Sequence, residues 1–170
     1  NATRISLAAP LKNFCNMLFA QSFSMPYTAL YGSQSEKAAA IPGLEDWSGR
    51  KIMQRVGDAV RSIHPDVWVR YAMSDVATEL KREGRNLVVI SDVRFKNEAQ
   101  RIRESGGGIV KIIRPNLETM STHVSETELD SIEPDYVINN QGRSLVELKA
   151  LVTNLLCDLQ YLPSTLRQPV

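Results

Sequence analysis

The 170-residue sequence predicts an α/β fold, a three-layer sandwich with a mostly parallel sheet. Three observations predict it. Leu87-Val88-Val89-Ile90 is an apolar run that stops abruptly at Ser91-Asp92-Val93-Arg94, as a strand with no wet face does before a loop. A charged helical segment and Gly106-Gly107-Gly108 then lead into a second β-branched run, Ile109-Val110-Lys111-Ile112-Ile113, completing a βαβ unit. Elsewhere, segments of helical and strand period alternate. Ligands of open parallel sheets bind beyond the carboxyl ends of the strands, so Asp92 and Arg94 stand where such a sheet does its chemistry.

In chain order, Arg4 to Ala9 reads as a buried strand. Pro10 can open a helix, where its missing N–H costs nothing, and Leu11, Phe14, Cys15, Leu18 and Phe19 carry that helix to Gln21. From Ser22 to Asp46 the pattern dissolves into Ser, Pro, Gly and Ala. This is a loop of about 25 residues, and loops beyond roughly 12 to 15 residues are usually functional or disordered. Ser48 is placed to cap a helix whose apolar face is Ile52, Met53, Val56, Ala59, Val60 and Ile63. Pro65 breaks it. Asp66 is expected to cap a second helix through Val67, Trp68, Tyr71, Ala72, Val76 and Leu80, which closes at Gly84. A polar stretch from Asn116 to Glu133 follows the βαβ unit. Tyr136-Val137-Ile138 is a short strand, Gln141-Gly142 a turn, and Leu145 to Leu156 a final helix. The tail from Pro163 is expected to fray. The expectation is one domain with four strands, Arg4–Ala9, Leu87–Ser91, Ile109–Arg114 and Tyr136–Asn139.

Composition narrows the function classes. A hydrophobic fraction of 43% and a net charge of +1 describe a soluble protein with no bulk attraction for a nucleic acid polymer. Cys15 and Cys157 lie far apart on apolar helical faces and read as reduced core residues, which points to the cytoplasm. No apolar run approaches the roughly 18 to 20 residues of a membrane span, and no signal peptide is expected. His123 has no partner at metal-ligand or triad spacing, and no metal site is expected.

Several segments, in order and at matching spacing, resemble the deoxynucleoside monophosphate kinases of tailed bacteriophages, a branch of the P-loop nucleotide kinases. They are Ile5-Ser6-Leu7-Ala8-Ala9-Pro10-Leu11-Lys12, Gly49-Arg50-Lys51-Ile52-Met53-Gln54-Arg55-Val56-Gly57 and His64-Pro65-Asp66-Val67-Trp68-Val69. Ser91-Asp92-Val93-Arg94-Phe95-Lys96-Asn97-Glu98, His123-Val124-Ser125-Glu126 and Asp135-Tyr136-Val137-Ile138-Asn139-Asn140 complete the set. The resemblance runs from about Thr3 to Leu156. It implies ATP and Mg²⁺, a deoxynucleoside monophosphate as acceptor, and the cytoplasm of a bacterial host carrying a phage or prophage.

The family pattern also has a G-x-x-x-x-G-K-[ST] phosphate loop, expected just before Arg4. Nothing in the chain fits it. Gly32-Ser33-Gln34-Ser35-Glu36-Lys37 lacks the second glycine and the hydroxyl residue after lysine. The chain starts Asn1-Ala2, which resembles the remnant of a cleaved tag. The expectation is therefore a shortened kinase with little activity of its own, whose truncated sheet exposes an edge that invites homodimerisation. The alternative is a degenerate kinase-like domain that binds nucleotide or a protein partner without catalysis. A scaffold using the fold alone is a third reading.

Arg94 offers a planar fork for the acceptor phosphate, or else pairs with Asp92 or Glu98 to fix its loop. Asp92 orients Mg²⁺ or phosphate, or caps the helix starting near Phe95. Asn97 and Glu98 are expected to hold that loop by hydrogen bonds. Arg50 and Gln54 share a helical face four residues apart; by the resemblance, with Arg55 and Trp68 they form the candidate acceptor-binding set, and 22–47 is the acceptor-side loop. The other reading is a solvated polar face for the arginines and core burial for Trp68. Gly57 inside that helix suggests close packing or approach of a ligand. Arg114 opens the lid-like segment 115–133, where positive charge would close over the phosphate donor.

Overall fold

A parallel pair of short strands forms the base of the amino-terminal part. β1 (Ala2–Ile5) pairs in parallel with β4 (Leu87–Ile90), Thr3 opposite Val88 and Ile5 opposite Ile90. The computed structural model describes residues 2–84, 86–114 and 128–169. Two compact units emerge, Ala2–Asp92 and Val93–Val170.

In the first unit β1 is followed by α1 (Ala9–Cys15), which continues through a π-helical turn at Asn16–Ala20 into α2 (Gln21–Phe23). Ser24, in the left-handed region at φ 51°, ends the helix. The strand is two residues earlier than the expected Arg4–Ala9 because Ser6, Leu7 and Ala8 turn to meet a side chain 84 or more residues away, described below. The stretch expected to be a loop, Ser22 to Asp46, is built instead. It holds α3 (Thr28–Tyr31), α4 (Gln34–Ala38) and an antiparallel hairpin, β2 (Ala40–Ile41) with β3 (Leu44–Ser48). Its anchors are single residues without period: Met25, Ala29, Leu30 and Ile41 are buried with Cys15 and Ile52 in one cluster. Each large one contributes about 1.5–3 kcal/mol by leaving water. Among the described residues, six strands are therefore observed where four are expected.

α5 (Gly49–Ile63) begins at Ser48, whose hydroxyl accepts the Lys51 N–H at 3.3 Å, and stops at His64 before Pro65. α6 (Val67–Leu80) packs against β1 and β4. Asp66 stands at its start but its side chain does not cap it; its own N–H donates to His64 Nδ1 at 3.1 Å. One face of the β1–β4 pair is partly wet, contrary to the apolar run's promise: Val89 is 45% exposed, and its register partner Arg4 is exposed too. Two strands are too few to bury both faces of a parallel pair.

The second unit contains α7 (Lys96–Glu104), β5 (Val110–Ile113), β6 (Tyr136–Asn139) and α8 (Leu145–Asp158). β5 and β6 are parallel, Val110 opposite Tyr136. Asp135 joins them. Its carboxylate accepts the Ile109 N–H at 2.7 Å and the Arg103 Nε–H at 3.1 Å, and these donors hold its carboxyl below the usual range. α8 opens with a capping box in which Ser144 and Glu147 satisfy each other's backbone N–H groups. Both cysteines are free and buried; burial pushes the Cys15 thiol up to about 11.

Candidate acceptor site

Asp92 lies just beyond β4, at the carboxyl end of the strand pair. Its carboxylate accepts the Ser6 hydroxyl at 2.6 Å, the Leu7 N–H at 2.9 Å and the Ala8 N–H at 3.0 Å. The turn that leads from β1 into α1 is thereby tied to the end of β4. Arg4 Nε adds a bond to the Ser91 hydroxyl at 2.9 Å. Both carboxylate oxygens are engaged by the protein's own donors. The helix near Phe95 is capped by another acid: Glu98, itself buried, accepts the N–H groups of Arg94 at 2.8 Å and Phe95 at 3.1 Å. Asp92 therefore does not provide the cap that one reading of the sequence gave it.

Gly49 sets the position of Arg50. A Cβ on Gly49 would sit 1.8 Å from the carbonyl oxygen of Ala29, so only glycine lets the first turn of α5 press onto α3. Arg50, the next residue, donates to the side-chain oxygen of Gln34 on α4. Gln54 follows one turn along on the same face, and both are half-buried. Arg55 is exposed and, at about 100° per residue, points well away from that face. Trp68 is in the core, 8% exposed, and its indole N–H donates to the Gly57 carbonyl at 3.3 Å. Gly57 answers to packing: a Cβ there would lie 3.3 Å from Leu11 Cδ2.

The α3 segment carries an arrangement that periodicity did not single out. Tyr27 and Tyr31 stack with centroids 4.2 Å apart and planes 13° from parallel. The Tyr31 hydroxyl donates to Asn13 Oδ1 at 2.9 Å, and the Lys12 ammonium lies 5.6 Å from the Tyr31 centroid. Burial, then the neighbouring Tyr27, raise the Tyr31 hydroxyl above its ordinary pKa. The i, i+4 spacing of two tyrosines, with a lysine and an asparagine on the preceding helix, was the available sequence signal. Thus the Gly49–Ala29 contact joins α3, which carries the tyrosine pair, to the first turn of α5, which carries Arg50.

In the second unit, Arg94 is exposed at the mouth of α7, and Arg114 is exposed just after β5. Most of the expected lid, including His123, Ser125 and Glu126, lies outside the described residues. Among the described residues no three His, Cys, Asp or Glu side chains converge as a metal cage. No described helix is long and apolar enough to cross a membrane.

Comparison with known proteins bears on this geometry. Residues 4–152 match the model of the deoxynucleotide monophosphate kinase family. A protein of Acanthamoeba polyphaga mimivirus, provisionally named a deoxynucleotide monophosphate kinase, is 35% identical over 151 residues, covering 84% of this chain and 76% of its own. The deoxynucleotide monophosphate kinase of Enterobacteria phage T4 is 30% identical over 119 residues, covering 68% of this chain and 48% of the phage protein. That of Escherichia phage RB69 is 29% identical, with 77% and 51% covered. The chain thus spans about three quarters of the mimivirus protein and about half of each phage protein.

Proposed function

The chain belongs to the deoxynucleotide monophosphate kinase family, whose members are phosphotransferases, and from that premise we propose that its first unit holds the acceptor, a deoxynucleoside monophosphate, for phosphorylation by ATP. The observation that carries this reading is the Gly49–Ala29 contact, which fixes Arg50 and Gln54 on one half-buried face beside α3 and α4. A guanidinium presents a planar pair of donors to phosphate oxygens, and Gln54 can meet a base edge or a sugar hydroxyl. Asp92 serves by position in this reading. Holding the β1–α1 turn against the end of β4 shapes the strand ends where ligands of parallel sheets bind.

Phosphoryl transfer of this class needs alignment and neutralised charge rather than a covalent enzyme intermediate. An acceptor phosphate oxygen attacks the γ-phosphorus in line, and ADP leaves. Arg94 and Arg114, in the second unit, are each assigned to phosphate charge on their own account. Mg²⁺ enters the reading with the nucleotide, since it is usually bound by one or two carboxylates together with phosphates and water. Asp92, with its oxygens engaged, is not assigned to it. The setting is the cytoplasm of the host cell.

Calorimetric titration of deoxynucleoside monophosphates into the 170-residue chain and into Arg50→Ala tests the proposal. Loss of charge-assisted bonds predicts a fall in affinity of about 10- to 100-fold. Equal affinity in the two proteins, or no heat from either, refutes it.

A further inference from the structure

We propose that the ring of Tyr27 is the platform on which the base of the acceptor nucleotide stacks, an assignment that rests on the first unit being the acceptor-binding part. Tyr27 is 66% exposed, yet its ring is held flat against Tyr31 at 4.2 Å. Tyr31 is in turn held by its hydroxyl on Asn13 and by the Lys12 ammonium near its ring. The chain therefore orders an exposed aromatic ring in advance and leaves most of its area open. Stacking a planar ligand there carries little further cost of immobilising the side chain.

Placement supports a nucleotide rather than any flat molecule. Ala29, two residues beyond Tyr27, has its carbonyl pressed against Gly49, and Arg50 follows directly. The stacking surface and the guanidinium thus stand on contacting first turns of α3 and α5. A nucleoside monophosphate has the matching pair of features, a flat base at one end and a phosphate at the other. Lys12 adds positive charge on the same side as the tyrosine pair. Every base has a π-face, so the platform accepts different bases and favours the larger purines.

The test titrates dGMP, dTMP and 2-deoxyribose 5-phosphate into the chain, Tyr27→Ala, Tyr27→Phe and Tyr27→Leu, each checked for folding by tryptophan fluorescence. The leucine variant keeps an apolar cover on Tyr31 without a π-face, and it decides the matter if the alanine variant unfolds. Stacking predicts about 5- to 150-fold weaker dGMP binding in the alanine and leucine variants and about wild-type affinity in Tyr27→Phe. dTMP should lose less, and deoxyribose phosphate nothing. Unchanged dGMP affinity overturns this inference alone, provided Arg50→Ala still weakens binding. Equal losses for dGMP and deoxyribose phosphate also overturn it. A wild-type chain that binds no nucleotide refutes both this inference and the acceptor reading.

Discussion

Replacing Asp92 by alanine removes one acceptor group that serves three donors, the Ser6 hydroxyl and the N–H groups of Leu7 and Ala8, at 2.6, 2.9 and 3.0 Å. A hydrogen bond to a charged group contributes about 1.5–3 kcal/mol, but these three share a partner and the freed donors regain some water. The expected loss of stability is about 2–4 kcal/mol. Asp92→Asn should lose about half as much, since the amide keeps one oxygen acceptor and presents a nitrogen that cannot accept. Both tryptophans, Trp47 and Trp68, belong to the first unit, so urea unfolding followed by fluorescence reports on the part that Asp92 ties together. A loss smaller than about 0.5 kcal/mol in Asp92→Ala, within the range of ordinary surface changes, would refute the clamp. An Asp92→Asn protein of near-normal stability that binds acceptor but has lost turnover would instead return the carboxylate to a direct chemical role.

Gly49→Ala should destabilise the first unit by about 3 kcal/mol or more, because overpacking against backbone cannot relax as a side chain does, and acceptor affinity should fall with it; thermal unfolding by fluorescence and titration of dGMP check both. A substitution that unfolds at the wild-type temperature would contradict the close approach of α5 to α3. Asp135 predicts a pH dependence in the second unit. Its carboxyl is depressed on folding by the Ile109 N–H and by Arg103, so its stabilising contribution is present above the unfolded value near 3.8 and is lost as pH falls through the lower folded value. Carboxyl-detected NMR titration should find the Asp135 midpoint below that of an unfolded-chain reference; a midpoint at or above it would contradict the assignment.

The strand–helix–strand order was legible because its signals are local, but the single βαβ sheet was not borne out: β4 pairs with β1, and β5 with β6. Four consecutive apolar β-branched or leucine residues, a charged helix and a glycine turn announce β4, α7 and β5 with no knowledge of what they touch. α5, α6 and α8 were legible for the same reason, each carrying one apolar face and a start or stop signal. The 22–46 stretch was not. Met25, Leu30 and Ile41 are buried at irregular spacing among small residues and prolines, and only packing against Cys15 and Ile52 shows that they are anchors. Candidate residues divided along the same line. Arg50 and Gln54 were visible as a helical pair, whereas Tyr27 and Tyr31 gain meaning only from the neighbours that hold them.

The sequence by itself determined the α/β class, the principal helices, the carboxyl-end location of Asp92 and the family resemblance, since each depends on residue type and spacing within a few turns of chain. Tertiary structure alone decided that Asp92 grips the β1–α1 turn, that Trp68 is core, and that Gly49 brings the first turn of α5 onto α3. Those are meetings of residues far apart in the chain, and a hydrogen bond or a close contact across such a span leaves no period in the sequence to read.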